Sequence, residues 1–198
     1  MKVRATFVTS AAGPEGCPAD GLPELAFVGR SNVGKSTLVN ALMKVRLART
    51  SAAPGKTRLL NVYRIDVEGE SPFHLVDLPG YGYARGGVES VEAFEGLTTQ
   101  YFDPARQEGR RLAGVFHLVD GRHPDLNSDA AAHRWLAGAG VAMALVATKM
   151  DKLKQAQRRG HLKLLGEAYD TLILPVSVLD HAGLDEIWKV IRTWTKKG

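Results

Sequence analysis

With 198 residues, the chain suits one domain with a short appendage and can bury a substantial core. Hydrophobic residues make up 44% and charged residues 24%, a globular balance, and no apolar run approaches the ~20 residues that span a bilayer, which sets a membrane-spanning role aside. Net charge is +5 but uneven: from Arg30 to Ile65 there are eight Lys and Arg and no Asp or Glu, a stretch that reads either as a solvated face or as an attractor of polyphosphate, nucleic acid or both. The early charges without a continuous apolar core do not make a secretory signal, and the single cysteine, Cys17, forbids an internal disulfide; a cytoplasmic location is expected.

Residues 1–21 are expected to form an N-terminal extension packed on or beside a single domain of residues 22–198. The first apolar run, "LPELAFVG" (22–29), reads as a buried strand. "KSTLVNALMK" (35–44) reads as the following helix, with Leu38, Leu42 and Val45 on its inward face. Between them Gly29, Gly34, Lys35 and Ser36 satisfy G-x-x-x-x-G-K-[ST] in the strand–loop–helix context that gives the pattern meaning. The loop Gly29, Arg30, Ser31, Asn32, Val33, Gly34, Lys35, Ser36 and Thr37 is therefore expected to cradle phosphates on backbone N–H groups and a helix N-terminus. Lys35 would reach the β and γ phosphates, and Ser36 would ligate Mg²⁺. In the next loop, "SAAPGKTR", Pro54, Gly55, Lys56 and Thr57 form a turn in which Thr57 can close on Mg²⁺ and the γ phosphate, with Ser51 or Thr50 as substitutes.

"LLNVYRIDVE" and "FHLVDLPG" read as two strands separated by the turn-forming "GESP". The second ends in Asp77, Leu78, Pro79 and Gly80, where the carboxylate can hold Mg²⁺ through a water and the Gly80 N–H can meet a γ phosphate. Val88, Val91, Phe94, Leu97 and Tyr101 recur at three and four, predicting a helix over 88–107. "LAGVFHLVD" and "VAMALVATK" are apolar throughout, as strands covered on both faces must be. The helix between them is expected to be capped by Asn127 or Ser128.

Thr148, Lys149, Met150 and Asp151 follow the second of these strands. The Asp151 carboxylate can accept from the ring N–H and the exocyclic amine of guanine, a donor pair adenine lacks, while the Lys149 stem lies along the purine; taken alone, Asp151 would be the cap of a helix starting at Lys152. A helix (153–169), a strand (171–177) and a C-terminal helix (183–197) complete the chain. Val176, Ser177 and Val178 at the last strand's end can bracket the base edge, or Ser177 is a turn residue. His74 and His117 lie within strands and read as core or edge histidines, and Trp188 and Trp194 as packing anchors. The alternation predicts an α/β fold, three-layered, with a mainly parallel central sheet flanked by helices and ligands at the strands' carboxyl ends.

With "LPELAFVGRSNVGKSTLVNAL", "APGKT", "LVDLPGYGYA" and "TKMDKL" in register, nearly the whole chain resembles the translation-factor-like P-loop GTPases (the TrmE-Era-EngA-EngB-Septin-like class), and within them the EngB/YihA/YsxC ribosome-biogenesis GTPases. The resemblance implies a monomeric switch that binds GTP and GDP with Mg²⁺ and hydrolyses GTP, with Lys35, Thr57 and Gly80 as catalytic residues and Ser36, Thr57 and Asp77 around the metal. It also implies a role in large-subunit assembly in contact with ribosomal RNA or precursor particles, and through it in division and septation. An RNA-binding assembly chaperone with a mainly structural nucleotide is the alternative. Tyr81 stands where Ras-like enzymes carry a water-positioning glutamine, and its phenol is a poor base near neutrality, so slow intrinsic hydrolysis is expected. Asn32 matches a loop asparagine that helps coordinate K⁺ in related GTPases; it reads equally as a residue making local hydrogen bonds. "VSV" departs from the commoner Ser-Ala or Ser-Ser form.

Overall fold

In the computed structural model, which describes residues 1–48, 59–81 and 96–196, the apolar runs assemble into one seven-stranded sheet. Its strands are β1 (Val3–Ala11), β2 (Pro23–Gly29), β3 (Leu60–Val67), β4 (Phe73–Asp77), β5 (Arg111–Asp120), β6 (Met143–Thr148) and β7 (Leu172–Pro175), in the order β1-β3-β4-β2-β5-β6-β7. From β4 to β7 all neighbours are parallel; β3 and β1 add antiparallel pairs. This is the expected α/β class. Five consecutive parallel strands thus end at one edge, where ligands gather in such sheets.

Every residue of β2 is buried, because both faces are covered. Leu25 and Phe27 pack with Leu38, Val39, Leu42 and Met43 of α1 (Lys35–Met43) and with Ile187, Trp188 and Ile191 of α4 (Leu184–Thr195). Ala26 and Val28 face the other way, toward Leu97 and Tyr101 of the helical residues 96–102 and Leu136 of α2 (Asn127–Ala137). Outside β6, α3 (Gln155–Ala168) buries Leu165 against Leu145 and Ala147. The C-terminal helix is seated by aromatics. Phe27, Phe116 and Trp194 stack in turn at 4.9 Å spacings, and only a glycine at 114 admits the Trp194 ring, which a Cβ would approach to 2.2 Å.

Several expectations are corrected. β1 precedes the first expected element: Val3–Ala11 pairs with β3, with a register shift between Phe7 and Thr9. It leads into a single turn (Pro14–Gly16), after which Cys17 is buried in the cluster holding Leu60 and Tyr101; that burial pushes the thiol up to about 11. Val45 is not on the inward face of α1. The helix ends at Met43, Lys44 turns left-handed (φ 55°), and Val45 is 43% exposed. The expected helix over 88–107 stops at residue 102, because Pro104 disfavours helical backbone at Asp103, whose carboxylate instead accepts from Ala105 N (3.0 Å); residues 88–95 lie outside the described ones. Neither Asn127 nor Ser128 caps α2: Leu126 occupies the cap position, with no side-chain cap hydrogen bond. Among the described residues, no helix is long and apolar enough to cross a membrane.

Candidate nucleotide-binding site

The loop after β2 is built on backbone that few residues other than glycine could follow. A Cβ on Gly29 would lie 2.9 Å from both Leu118 and Val33, and Gly34, the residue before α1, has φ 105°. Asn32 also adopts a left-handed φ of 63°. No side chain caps α1 and no acid sits in its first turn, so its leading N–H groups are available to an anion. Lys35, on that turn, pairs with Asp77 at the end of β4, and both side chains are at least nine-tenths buried. Ser36 is half-buried and Thr37 exposed on the same turn.

Beyond Asp77 the chain runs along the loop. Leu78 N donates to Phe27 O (3.1 Å), Ser31 N to Tyr81 O (2.9 Å) and Tyr81 N to Gly29 O (3.4 Å), and Arg30 and Tyr81 form a parallel bridge. A Cβ on Gly80 would lie 2.9 Å from Ser31 Oγ, so glycine is what lets Gly80 approach the loop this closely; Pro79 beside it is buried. Tyr81 turns inward. Its hydroxyl donates to Asp129 Oδ1 (2.9 Å) and lies 2.7 Å from His117 Nε2. Burial raises the phenol far above its ordinary value and pulls His117 down to about 3, so both are neutral near pH 7 and His117 Nε2–H donates to the phenol. Tyr81 therefore provides no base, and His117 is a core histidine whose Nε2 is taken up by the Tyr81 hydroxyl.

At the far end, Lys149 (φ 58°) donates from Nζ to Asn32 O (2.7 Å) and to Asp120 Oδ2 (2.9 Å). Arg122 holds the same carboxylate in a two-pronged contact (2.9 and 2.8 Å). Burial opposes the Asp120 charge, yet Arg122 and Lys149 hold it well below the usual carboxylate range. The Thr148 hydroxyl is 2.7 Å from Val33 O and 3.0 Å from Val119 O. Asp151 does not cap a helix at Lys152: Met150–Lys152 is a single turn and α3 begins at Gln155. Asp151 meets the end of β7, with Ser177 Oγ 3.2 Å from its Oδ1, and Met150 N donates to Val176 O (3.2 Å). Val178 is half-buried just beyond.

Arg30, Ser31, Asn32, Asp120, Arg122, His123, Leu126 and Lys149 line a cleft of about 500 Å³. Asp120, Arg122, His123 and Leu126 were not expected at the site from the sequence; the available signal was that Asp120 ends a buried strand as Asp77 does. Thr50, Ser51, Pro54, Gly55, Lys56 and Thr57 lie outside the described residues.

The family of "50S ribosome-binding GTPase" proteins matches residues 24–149. Among relatives, the "Probable GTP-binding protein EngB" of Clostridioides difficile (strain 630) is 39% identical over 197 residues, 96% of this chain and 93% of the relative. The protein of the same name from Solibacter usitatus (strain Ellin6076) is 42% identical over 193 residues, 96% of each chain. Among solved structures, a "probable GTP-binding protein engB" superimposes with a TM-score of 0.66 at 22% identity, covering 85% of this chain and 96% of that one. Era bound to MgGDPNP and nucleotides 1506–1542 of 16S ribosomal RNA gives 0.73 at 24% identity, over 90% of this chain and 58% of that one.

Proposed function

Given that the chain belongs to the EngB family of P-loop GTPases, we propose that it is a Mg²⁺-dependent GTP switch that acts on a large-subunit ribosomal precursor in the cytoplasm, and through that assembly supports division. One observation carries the reading. Lys35 and Asp77 meet at one end of the strand edge, Lys149, Asp151 and Ser177 gather at the other, and the glycine loop lies between them. A nucleotide lying along that edge would place its phosphates on the loop and Lys35, and its base against Lys149, with Asp151 accepting from guanine.

The Ser36 hydroxyl and the Asp77 carboxylate are hard oxygen donors of the kind Mg²⁺ takes, with Thr57 as the third residue of the set. The metal would neutralise charge developing on the phosphates. Gly80 N–H would meet the γ phosphate, and Lys35 would shift from Asp77 toward the phosphate oxygens. The inward Tyr81 hydroxyl is consistent with slow intrinsic hydrolysis, and the exposed Asn32 at the loop's tip is compatible with K⁺ there. The ribosomal assignment rests on the family description and on the acid-free stretch from Arg30 to Ile65, which suits an RNA partner; a monomer is the simplest state.

Co-sedimentation with large-subunit precursor particles, with GDP and with a non-hydrolysable GTP analogue across a salt series, tests this. Retention should be at least roughly tenfold greater with the analogue, about 1.4 kcal/mol, and should fall steeply with salt. Equal retention in both nucleotide states would instead make the nucleotide a structural ligand of an RNA chaperone.

A further inference from the structure

Behind the loop after β2 lies a buried polar cluster whose members do not line the cleft. Tyr81, His117, Asp129 and His133 are at most 8% exposed. The two histidine rings are 5.7 Å apart, and His133 packs edge-on to Tyr169 at 4.7 Å. Tyr81 reaches this cluster from the segment that pairs with the loop, and Asp129 reaches it from the first turn of α2. The cluster is under-satisfied: Asp129 Oδ2, His117 Nδ1, His133 Nδ1 and the loop's own Arg30 Nε are buried with no hydrogen-bond partner among the described residues. Buried groups in that state are normally replaced by apolar ones unless they serve a purpose.

Asp129 draws its support from the site. Burial disfavours its charge, while the Tyr81 hydroxyl and the Arg30 guanidinium favour it, and those two residues are bridged to each other in the backbone. One carboxylate on α2 is therefore coupled through the Tyr81 hydroxyl to the residue following Gly80 and, by the backbone pairing of Tyr81 with Gly29 and Ser31, to the loop. Gly80 has no side chain with which to hold its own position; the first side chain beyond it is that of Tyr81. We propose that Asp129 is a positioning residue for the GTPase reaction. By accepting the Tyr81 hydroxyl it fixes the Gly80–Tyr81 backbone against Ser31 and Gly29, in the geometry that distinguishes a nucleotide with a γ phosphate from one without. The inference rests on the reading of Gly80 as the γ-phosphate contact.

The test uses the full chain with Mg²⁺ and measures affinities for GDP and for a non-hydrolysable GTP analogue, together with single-turnover hydrolysis, in D129A, D129N, Y81F, the double variant D129A/Y81F and G80A. In D129A and Y81F the preference for the analogue over GDP should fall about 5- to 20-fold, with GDP affinity within about twofold of wild type and hydrolysis slowed in step. D129N keeps an acceptor for the hydroxyl and should recover most of the loss, and the double variant should be no worse than either single one. A destabilised but otherwise intact site would weaken both nucleotides together and leave their ratio alone. If G80A lowers the ratio while Y81F and D129N/D129A leave it at the wild-type value, Asp129 plays no positioning part. If G80A itself leaves the ratio unchanged, the Gly80 contact is wrong and the inference falls with it. Should D129A fail to fold, Y81F, which removes one oxygen and keeps the ring, decides the matter alone.

Discussion

At the proposed base end, the groups that would recognise guanine are side chains held by close polar partners: Lys149 by Asn32 O and Asp120, Asp151 by Ser177. At the phosphate end the group that would sense a γ phosphate is the backbone of Gly80, steadied by Ser31 Oγ at its carbonyl (3.4 Å) and by the adjacent Tyr81, whose hydroxyl is lodged against Asp129 of α2. The base end is thus preformed by the strand ends themselves, while the phosphate end depends on a neighbour's burial. On the proposed reading, affinity for guanine and discrimination between GTP and GDP would be separable, and substitutions should attack one without the other.

The largest effect should come from Lys35→Ala, which removes the cation expected to reach the β and γ phosphates. Affinity for GTP and GDP should fall by at least ~100-fold, about 2.7 kcal/mol, and the buried Asp77 carboxylate loses its ion-pair partner, lowering stability as well. Titration with a fluorescent guanine nucleotide checks this, and retained tight binding would falsify the loop as the phosphate site.

Asp151→Asn attacks the base end alone. GTP affinity should drop about 10- to 100-fold while xanthine nucleotides gain, and the preference for triphosphate over diphosphate should stay as it is. Competition among GTP, ATP and XTP reads both outcomes; equal wild-type affinity for ATP and GTP would undo the guanine assignment.

The smallest effect isolates the phosphate-end anchor without any nucleotide. His117 and His133 are held neutral by burial, below the value of ~6.5 they have when unfolded. The unfolded chain therefore binds their protons first. Their contribution is complete above about pH 6.5 and is lost as pH falls, at up to about 1.4 kcal/mol per pH unit for His117. Asp129, raised by burial, acts in the opposite sense and offsets part of this, whereas Asp120, held low at the base end, adds nothing until about pH 4. Urea unfolding of the nucleotide-free protein should show a lower midpoint at pH 5 than at pH 7. A midpoint unchanged between them would contradict the neutral buried histidines.

What was legible in the sequence follows the same division. The glycine spacing from Gly29 to Gly34, the strand that feeds it and the runs ending in Asp77 and Asp151 are local patterns whose chemistry is fixed by neighbours a few residues away. The parallel core was readable because strands covered on both faces must be apolar throughout. The anchor was not, because Tyr81, His117 and Asp129 stand 36 and 48 positions apart in pairs that only the fold brings together. Nor was β1, whose mostly exposed residues carry no buried stripe and which becomes a strand through pairing with β3. Val45 kept helical spacing but fell past the left-handed Lys44, a backbone event that side-chain periodicity does not encode.

The sheltered Cys17 acquires a use from its place next to β1. Its thiol, raised to about 11 and tucked beside Leu60 and Tyr101, is almost wholly protonated at neutral pH and screened from solvent, and alkylating reagents attack the thiolate. Modification therefore has to wait for the N-terminal strand and its turn to lift away, which makes the chain's one sulfhydryl a natural clock for the opening of that edge of the sheet.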